Sequence, residues 1–342
     1  MKIILKPISV QVVVVFGASS GIGRLTALEM AKRGAKVCVA ARGAEGLKSL
    51  VEEIEGDGGE AFYVEADAAD FEQVKTVAEK CVERYGRLDT WIHAAGAFLF
   101  ASVEKSDPAE YKRLIEVNLL GQIYGAKAAL PFLKERGGAL VHVTSVEAWR
   151  TAPYQSAYGA SKHGVHGFLQ VLRVELAHDK IPVSVTEVLP AAINTPIYEK
   201  GRNKMPFKMR PVPPIYHPQI VTDAILYAAE NPVRDLVAGG AGLGVVYAER
   251  VSPRVADFFS EKIGFAGQDG GEKTSEQLQD NLFAPISGFD TVEGNFSAEQ
   301  LKSDPYTFLK TSPRAKSSLL LGAIGIVGGF LAWKALSRKV ES

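Results

Sequence analysis

Two side chains with matched chemistry stand four residues apart in "SAYGASKHG" (156–164): Tyr158 and Lys162, in a run otherwise rich in small residues. On a helix that spacing brings both to one face, a few ångströms apart. A phenol titrates near pH ~10 and moves protons slowly at neutrality unless a fixed cation stabilises its anion. Lys162 is such a cation. Ser145, earlier in the chain, ends the apolar run "GALVHVTS" and offers a hydroxyl to the same crevice. Serine, tyrosine and lysine then converge as a donor that polarises a carbonyl, an acid that protonates it and a cation that tunes the acid.

A second constellation lies near the N-terminus, where "FGASSGIGR" sets Gly17, Gly21 and Gly23 between an apolar run and a helical pattern. Glycines there permit a tight turn and close approach of backbone to a pyrophosphate, which the helix N-terminus attracts. An ordinary strand-to-helix turn is the competing reading. The second apolar run ends "VAARGAEGL", so Arg42, with Arg24 just past the loop, meets the place where the adenosine ribose is read. A cation there suits a 2′-phosphate, which favours NADP(H) over NAD(H), unless Arg42 is only a solvated loop residue. Asp67, with the Ala68 backbone, would accept from an adenine amino group or else cap a helix.

The elements that must position these groups are legible as alternation. Strands are predicted at 12–18, 35–41, 60–67, 88–95, 138–145 and 181–190, with "VRDLVAG" closing the sheet near residue 240. Helical patterns fall at 20–33, 44–55, 71–85, 108–136, 156–179 and 217–230. Such alternation implies βαβ units: an α/β, doubly wound, Rossmann-type parallel sheet in a single catalytic domain at 8–265. Ligands are expected at the carboxyl ends of its strands.

The 342-residue chain carries 39 basic and 39 acidic side chains, so no global positive field is available to hold nucleic acid. Cys38 and Cys81 lie far apart inside apolar periodic segments, which predicts buried free thiols rather than a disulfide or metal site. His93 reads as a buried structural histidine. His163 and His166 have no further ligands spaced for a metal, and none is expected. Tyr154, Glu147 and Trp149 are candidates to line a substrate pocket.

Residues 196–218 hold five basic side chains, Lys200, Arg202, Lys204, Lys208 and Arg210, against one acid, Glu199. They read as a cationic cover for an anionic or amphiphilic substrate, as a contact with anionic lipid, or as a solvated Pro-rich loop. Residues 266–315 are polar and punctuated by Gly and Pro, the pattern of a linker draped over the domain. The uncharged run "SSLLLGAIGIVGGFLAW" (317–333) has basic flanks, and with them a helix at 316–338 is long enough for a hydrocarbon core of about 30 Å. This predicts a C-terminal membrane anchor holding the domain on the cytoplasmic side; the alternative, with a cytoplasmic location, is an apolar helix docked on the domain or at a dimer interface.

In order and spacing, Gly17-x-x-x-Gly21-x-Gly23, Asp67, "HAAG" (93–96), Asn118, Ser145, Tyr158 with Lys162, and "PAAINT" (190–195) resemble the short-chain dehydrogenase/reductase family over roughly residues 8–240. The resemblance implies Tyr158 as general acid or base, Ser145 orienting the carbonyl, Lys162 binding the nicotinamide ribose and lowering the Tyr158 pKa, and Asn118 holding a water of the proton relay. It implies cofactor contacts at Gly17, Ser19, Ser20, Gly21, Ile22, Gly23, Arg42, Asp67, Ala68, Ala95, Gly96, Pro190, Ile193 and Thr195, besides Tyr158 and Lys162. The substrate would be a small-molecule carbonyl or alcohol, lipophilic if the enzyme works beside a bilayer. The helices at 108–136 and 156–179 resemble the surfaces such proteins use for homodimers. Two positions depart from the pattern: Phe16 replaces a usual threonine, and His93 with Ala94 replaces two asparagines. Both lie beneath the cofactor rather than in the proton-transfer set.

Overall fold

The structure, a computed structural model, describes residues 3–274 and 279–312. Its centre is β1 (Val12–Phe16), "VVVVF", in which every residue is buried. A strand covered by helices on both faces must be apolar throughout, and this one is. Around it lie β2 (Lys36–Ala41), β3 (Glu60–Glu65), β4 (Thr90–His93), β6 (Gly138–Val143), β7 (Val183–Pro190) and β10 (Asp235–Ala238). The seven strands run parallel in the order β10-β7-β6-β4-β1-β2-β3. This is the doubly wound sheet the alternation predicts.

Successive β1 side chains feed two different cores. Val12, Val14 and Phe16 join the cluster holding Val74, Ala126 and Leu169, from α3 (Phe71–Tyr85), α5 (Gly121–Arg136) and α6 (Ser156–His178). Val13 and Val15 join Ala27, Leu50 and Ala224, from α1 (Gly21–Lys32), α2 (Ala44–Gly56) and α8 (Gln219–Glu230). Local signals set the helix ends: Asp70 accepts from the Glu72 and Gln73 amides at the start of α3, and Gly86 closes it at φ 77°. Cys38 and Cys81 are buried and free, as their setting predicts.

The helix predicted over 108–136 is divided. After α4 (Pro108–Ile115) comes a π-turn, Glu116–Leu120, and then α5. The wider turn carries the fully buried Asn118, and such bulges commonly mark functional positions.

Four short strands and three short helices complete the carboxyl edge. They are β5 (Leu99–Phe100) beside β8 (Arg202–Asn203), β9 (Phe207–Met209) beside β11 (Asp269–Lys273), α7 (Ile197–Lys200), α9 (Ala241–Val251) and α10 (Pro253–Phe259). The polar C-terminal text lies on the domain as far as residue 312. It inserts Leu282, fully buried, into the core shared with α3 and α6. The Thr291 carbonyl accepts from Gly21 N–H at 2.8 Å. Its last element, α11 (Pro305–Thr311), is N-capped by Asp304 and docks through the Thr307 hydroxyl, which accepts from Gly239 N–H at 3.1 Å. Among the described residues no helix is long and apolar enough to cross a membrane. The predicted anchor at 316–338 lies outside them.

Candidate active site

The sheet reverses its strand order beside β1, so the chain segments leaving β1 and β4 diverge and open a cleft of about 350 Å³. Gly17, at φ 91°, is pressed against the other wall; a Cβ there would stand 2.3 Å from Ala95 N. At Gly23 a Cβ would meet Gly17 O at 2.2 Å, so the loop also packs on its own helix. No side chain caps α1. The floor of the cleft is thus bare backbone and a positive helix end, a cradle suited to a diphosphate. Gly17, Ser19, Ser20, Gly21, Ile22, Gly23, Arg42, Asp67, Ala68, Ala95, Gly96 and Thr195 all line it.

A second cavity, about 430 Å³, holds Ser145, Tyr158, Lys162, Pro190 and Ile193. The two spaces meet at Ile22, Ala94, Gly96, Thr195 and Ile197, which line both. Ser145 follows β6, its oxygen accepting from Glu147 N–H at 3.1 Å and bonding the Tyr158 hydroxyl. Lys162 lies 5.3 Å from the centre of the Tyr158 ring and donates to Val143 O at 3.3 Å. Burial pulls the lysine pKa down to about 8, against the attraction of Glu187 and Glu147.

The tyrosine departs from expectation. Its pKa is raised, by burial first and by Glu147 second, with only the Ser145 bond acting against them. The ammonium lies over the ring and not at the hydroxyl, while a carboxylate shares the cavity. Glu147 is itself pushed up to about 8 by burial, so it is largely protonated at neutrality. The phenol is therefore a reluctant anion and a ready proton donor.

Asn118 lines neither cavity. Its Oδ1 accepts from Ala97 N–H at 2.7 Å, and its Nδ2 donates to Ala97 O at 2.9 Å and to Ser161 Oγ at 3.3 Å. It thereby ties the segment after β4 to α6, a positioning role. The departures at Phe16 and His93 prove to be one feature: the rings stack 5.1 Å apart and nearly parallel. Burial holds His93 neutral, well below its ordinary pKa, so it supports the cleft floor as a structural residue.

Of the three candidate pocket residues, Glu147 lines the second cavity. Tyr154 instead packs on Phe100 and Phe265, and Trp149 on His166 and Arg250, and neither lines the cavity. His163 bonds Gly159 O and His166 bonds Glu187, and among the described residues no cluster could hold a metal.

Charges around the cleft are arranged differently from the sequence expectation. Arg24 is occupied on α2, donating to Gly46 O, Ser49 and Glu53. Arg42 lines the cleft but donates to the Asn281 and Leu282 carbonyls at 2.5 and 3.3 Å. Asp67 pairs with Arg113 at 2.6 Å and accepts from Ala69 N–H. The basic residues of 196–218 form no free cationic cover, because four of the five are paired with acids of the chain. The fifth, Lys200, enters the cleft of the glycine loop together with Asn281 and residues 285–290. Sequence reasoning missed these positions; the surplus of basic residues at 196–218 was the only signal.

The fold and site are those of a nicotinamide-dinucleotide oxidoreductase. The model of the family described as short chain dehydrogenase matches residues 11–206, and the chain belongs to that family. It is 34% identical over 342 residues to an uncharacterized oxidoreductase, YxnA, of Bacillus subtilis, with 98% of this chain and 93% of the relative covered. That likeness extends through the C-terminal segment. A 3-oxoacyl-[acyl-carrier-protein] reductase of Thermotoga maritima is 34% identical, over 65% of this chain and 91% of its own. Among solved structures, an alcohol dehydrogenase of Thermococcus sibiricus complexed with 5-hydroxy-NADP superposes with TM-score 0.59 at 28% identity, over 66% of this chain and 95% of its own.

Proposed function

We propose that the protein interconverts a carbonyl and an alcohol with NADP(H), the substrate oxygen sitting between Ser145 and Tyr158. The observation that carries this reading is the placement of Ser145, Tyr158 and Lys162 in a cavity that opens into the dinucleotide cleft. A bound dinucleotide, held by the glycine loop and Lys162, would supply or accept the hydride at its nicotinamide. Ser145 donates to the carbonyl oxygen and holds it; Tyr158 transfers its hydroxyl proton to that oxygen in reduction and takes it back in oxidation. Lys162 holds the nicotinamide ribose and places positive charge beside the phenol as it loses its proton. Asn118 keeps the wall of the cleft in register with α6. The cavity walls include Phe98, Val146, Ile193, Ile197 and Tyr198, which suits a lipophilic substrate.

Arg42 supports NADP(H) by its charge. Its engagement by two carbonyls supports NAD(H) as a second reading, since a guanidinium already bonded has fewer donors for a 2′-phosphate. A panel of lipophilic and polar carbonyls assayed with NADPH and NADH at the nicotinamide absorbance tests both. No turnover with any carbonyl or alcohol would leave the alternative of a catalytically silent dinucleotide-binding scaffold. The apolar run at 317–333 would hold the domain at a bilayer, and the exposed Val171 and Val174 of α6 would face a second copy, which sedimentation would detect as a dimer.

A further inference from the structure

We propose that Lys200 is a diphosphate-binding residue of the dinucleotide cleft, held in place by the C-terminal strap at 281–295. This rests on the dinucleotide reading above and adds to it a residue and a segment beyond the glycine loop.

Four of the five basic side chains at 196–218 are neutralised internally. Arg202 meets Glu110 and Asp280, Lys204 meets Asp107 and Glu110, Lys208 meets Glu272, and Arg210 meets Glu299. Lys200 makes no ion pair among the described residues. Its Nζ donates to Ser20 Oγ at 2.5 Å, inside the cleft. The neighbouring Glu199 is turned to the strap, its Oε1 accepting from Asn295 N–H at 2.8 Å.

The position is electrostatically unfavourable for a lone ammonium. Ser20 occupies the N-cap position of α1 without a side-chain capping bond, so the ammonium faces a positive helix end. Burial, and then the charge of Arg42, pull the Lys200 pKa down to about 8 against the attraction of Glu199. A multivalent anion lying between Lys200 and the first turn of α1 would reverse that penalty. The ammonium reaches the middle of the loop between Gly17 and Gly23. That is the place of the diphosphate, whereas Arg42 marks the 2′-position at the end of β2.

The strap fixes this geometry. Asn281 N–H donates to Lys200 O at 2.9 Å, Asn281 O accepts from Arg42, and Thr291 O accepts from Gly21 N–H. One segment thus ties the lysine, the ribose-end arginine and the glycine loop together. At Gly294 a Cβ would stand 2.7 Å from Thr195 O and 2.8 Å from Glu199 Oε1, so the strap runs close on the cleft wall.

Dissociation constants of NADH and NADPH, read by nicotinamide fluorescence on the full chain at low and high salt, test the assignment. Lys200→Met is expected to weaken both nucleotides by about tenfold to a hundredfold and to flatten the salt dependence. Lys200→Arg keeps both within about threefold. Gly294→Val, which displaces the strap, is expected to weaken both as well, with the melting temperature as the check on folding. Unchanged affinities in Lys200→Met overturn the assignment, and so does a loss confined to NADPH, which would put Lys200 at the 2′-phosphate. Unchanged affinities in Gly294→Val overturn the role of the strap. Failure of the wild type to bind either nucleotide would instead sink the dinucleotide reading itself.

Discussion

Replacing Tyr158 by phenylalanine removes one oxygen and nothing else. The ring keeps its packing on Phe98, 4.9 Å between centres, and its place 5.3 Å beneath the Lys162 ammonium. The lost hydroxyl is bonded to Ser145, an interaction worth about 1 kcal/mol of stability, so the variant folds and its cleft is unaltered. Loss of a positioned general acid costs about 10²- to 10⁴-fold in kcat, or about 3 to 5 kcal/mol of barrier. The expected result is a collapse of kcat for carbonyl reduction with the dinucleotide Kd unchanged, measured by stopped assays and by nicotinamide fluorescence on one preparation. Because burial holds the phenol protonated, it serves as a donor across the neutral range. The decline of kcat/KM for reduction should instead follow the loss of charge on Lys162, near pH 8, and Lys162→Arg should move it upward. A Tyr158→Phe enzyme retaining kcat within about tenfold of wild type would refute the acid–base assignment.

Leu282→Ala tests whether the C-terminal segment belongs to the fold: this fully buried side chain should cost about 2–5 kcal/mol in urea unfolding, where a loose linker would cost nothing. Glu147 has a folded pKa raised to about 8 from 4.5. Its contribution to stability is complete below the lower value and is lost as pH rises through the higher one. Melts of Glu147→Gln should therefore gain on wild type between those limits, and parallel curves would disprove the burial argument. Arg42→Ala should lower kcat/KM with NADPH more than with NADH, by about tenfold; equal effects would show that the guanidinium serves the strap alone. Deleting residues 316–342 should release the protein from carbonate-washed membranes, and a full-length chain that washes off would rule out the anchor.

The sheet was legible because its information is local. β1 reads "VVVVF" since both of its faces are covered, and the short apolar runs and glycine turns that follow define strands within a few residues of their observed ends. The order Gly17, Asn118, Ser145, Tyr158, Lys162 was likewise visible, because the Tyr158–Lys162 face is fixed by one turn of helix. What local pattern could not decide was anything set by partners distant in the chain. Phe16 and His93 look like separate departures until β1 and β4 pair and stack their rings. The phenol looks acidic from its lysine alone, until folding brings Glu147 and burial to the same cavity. Lys200 and Arg210 are alike in sequence, yet one meets an acid and the other faces the cleft. The strap reads only as a polar linker draped over the domain, because it is held mostly through its own backbone atoms by residues far upstream, which leaves no periodic trace in side-chain type. Sequence alone thus determined the sheet and which side chains with acid–base chemistry stand at its carboxyl edge, while their protonation, the use of each charge and the outer wall of the cleft were decided only by tertiary contact.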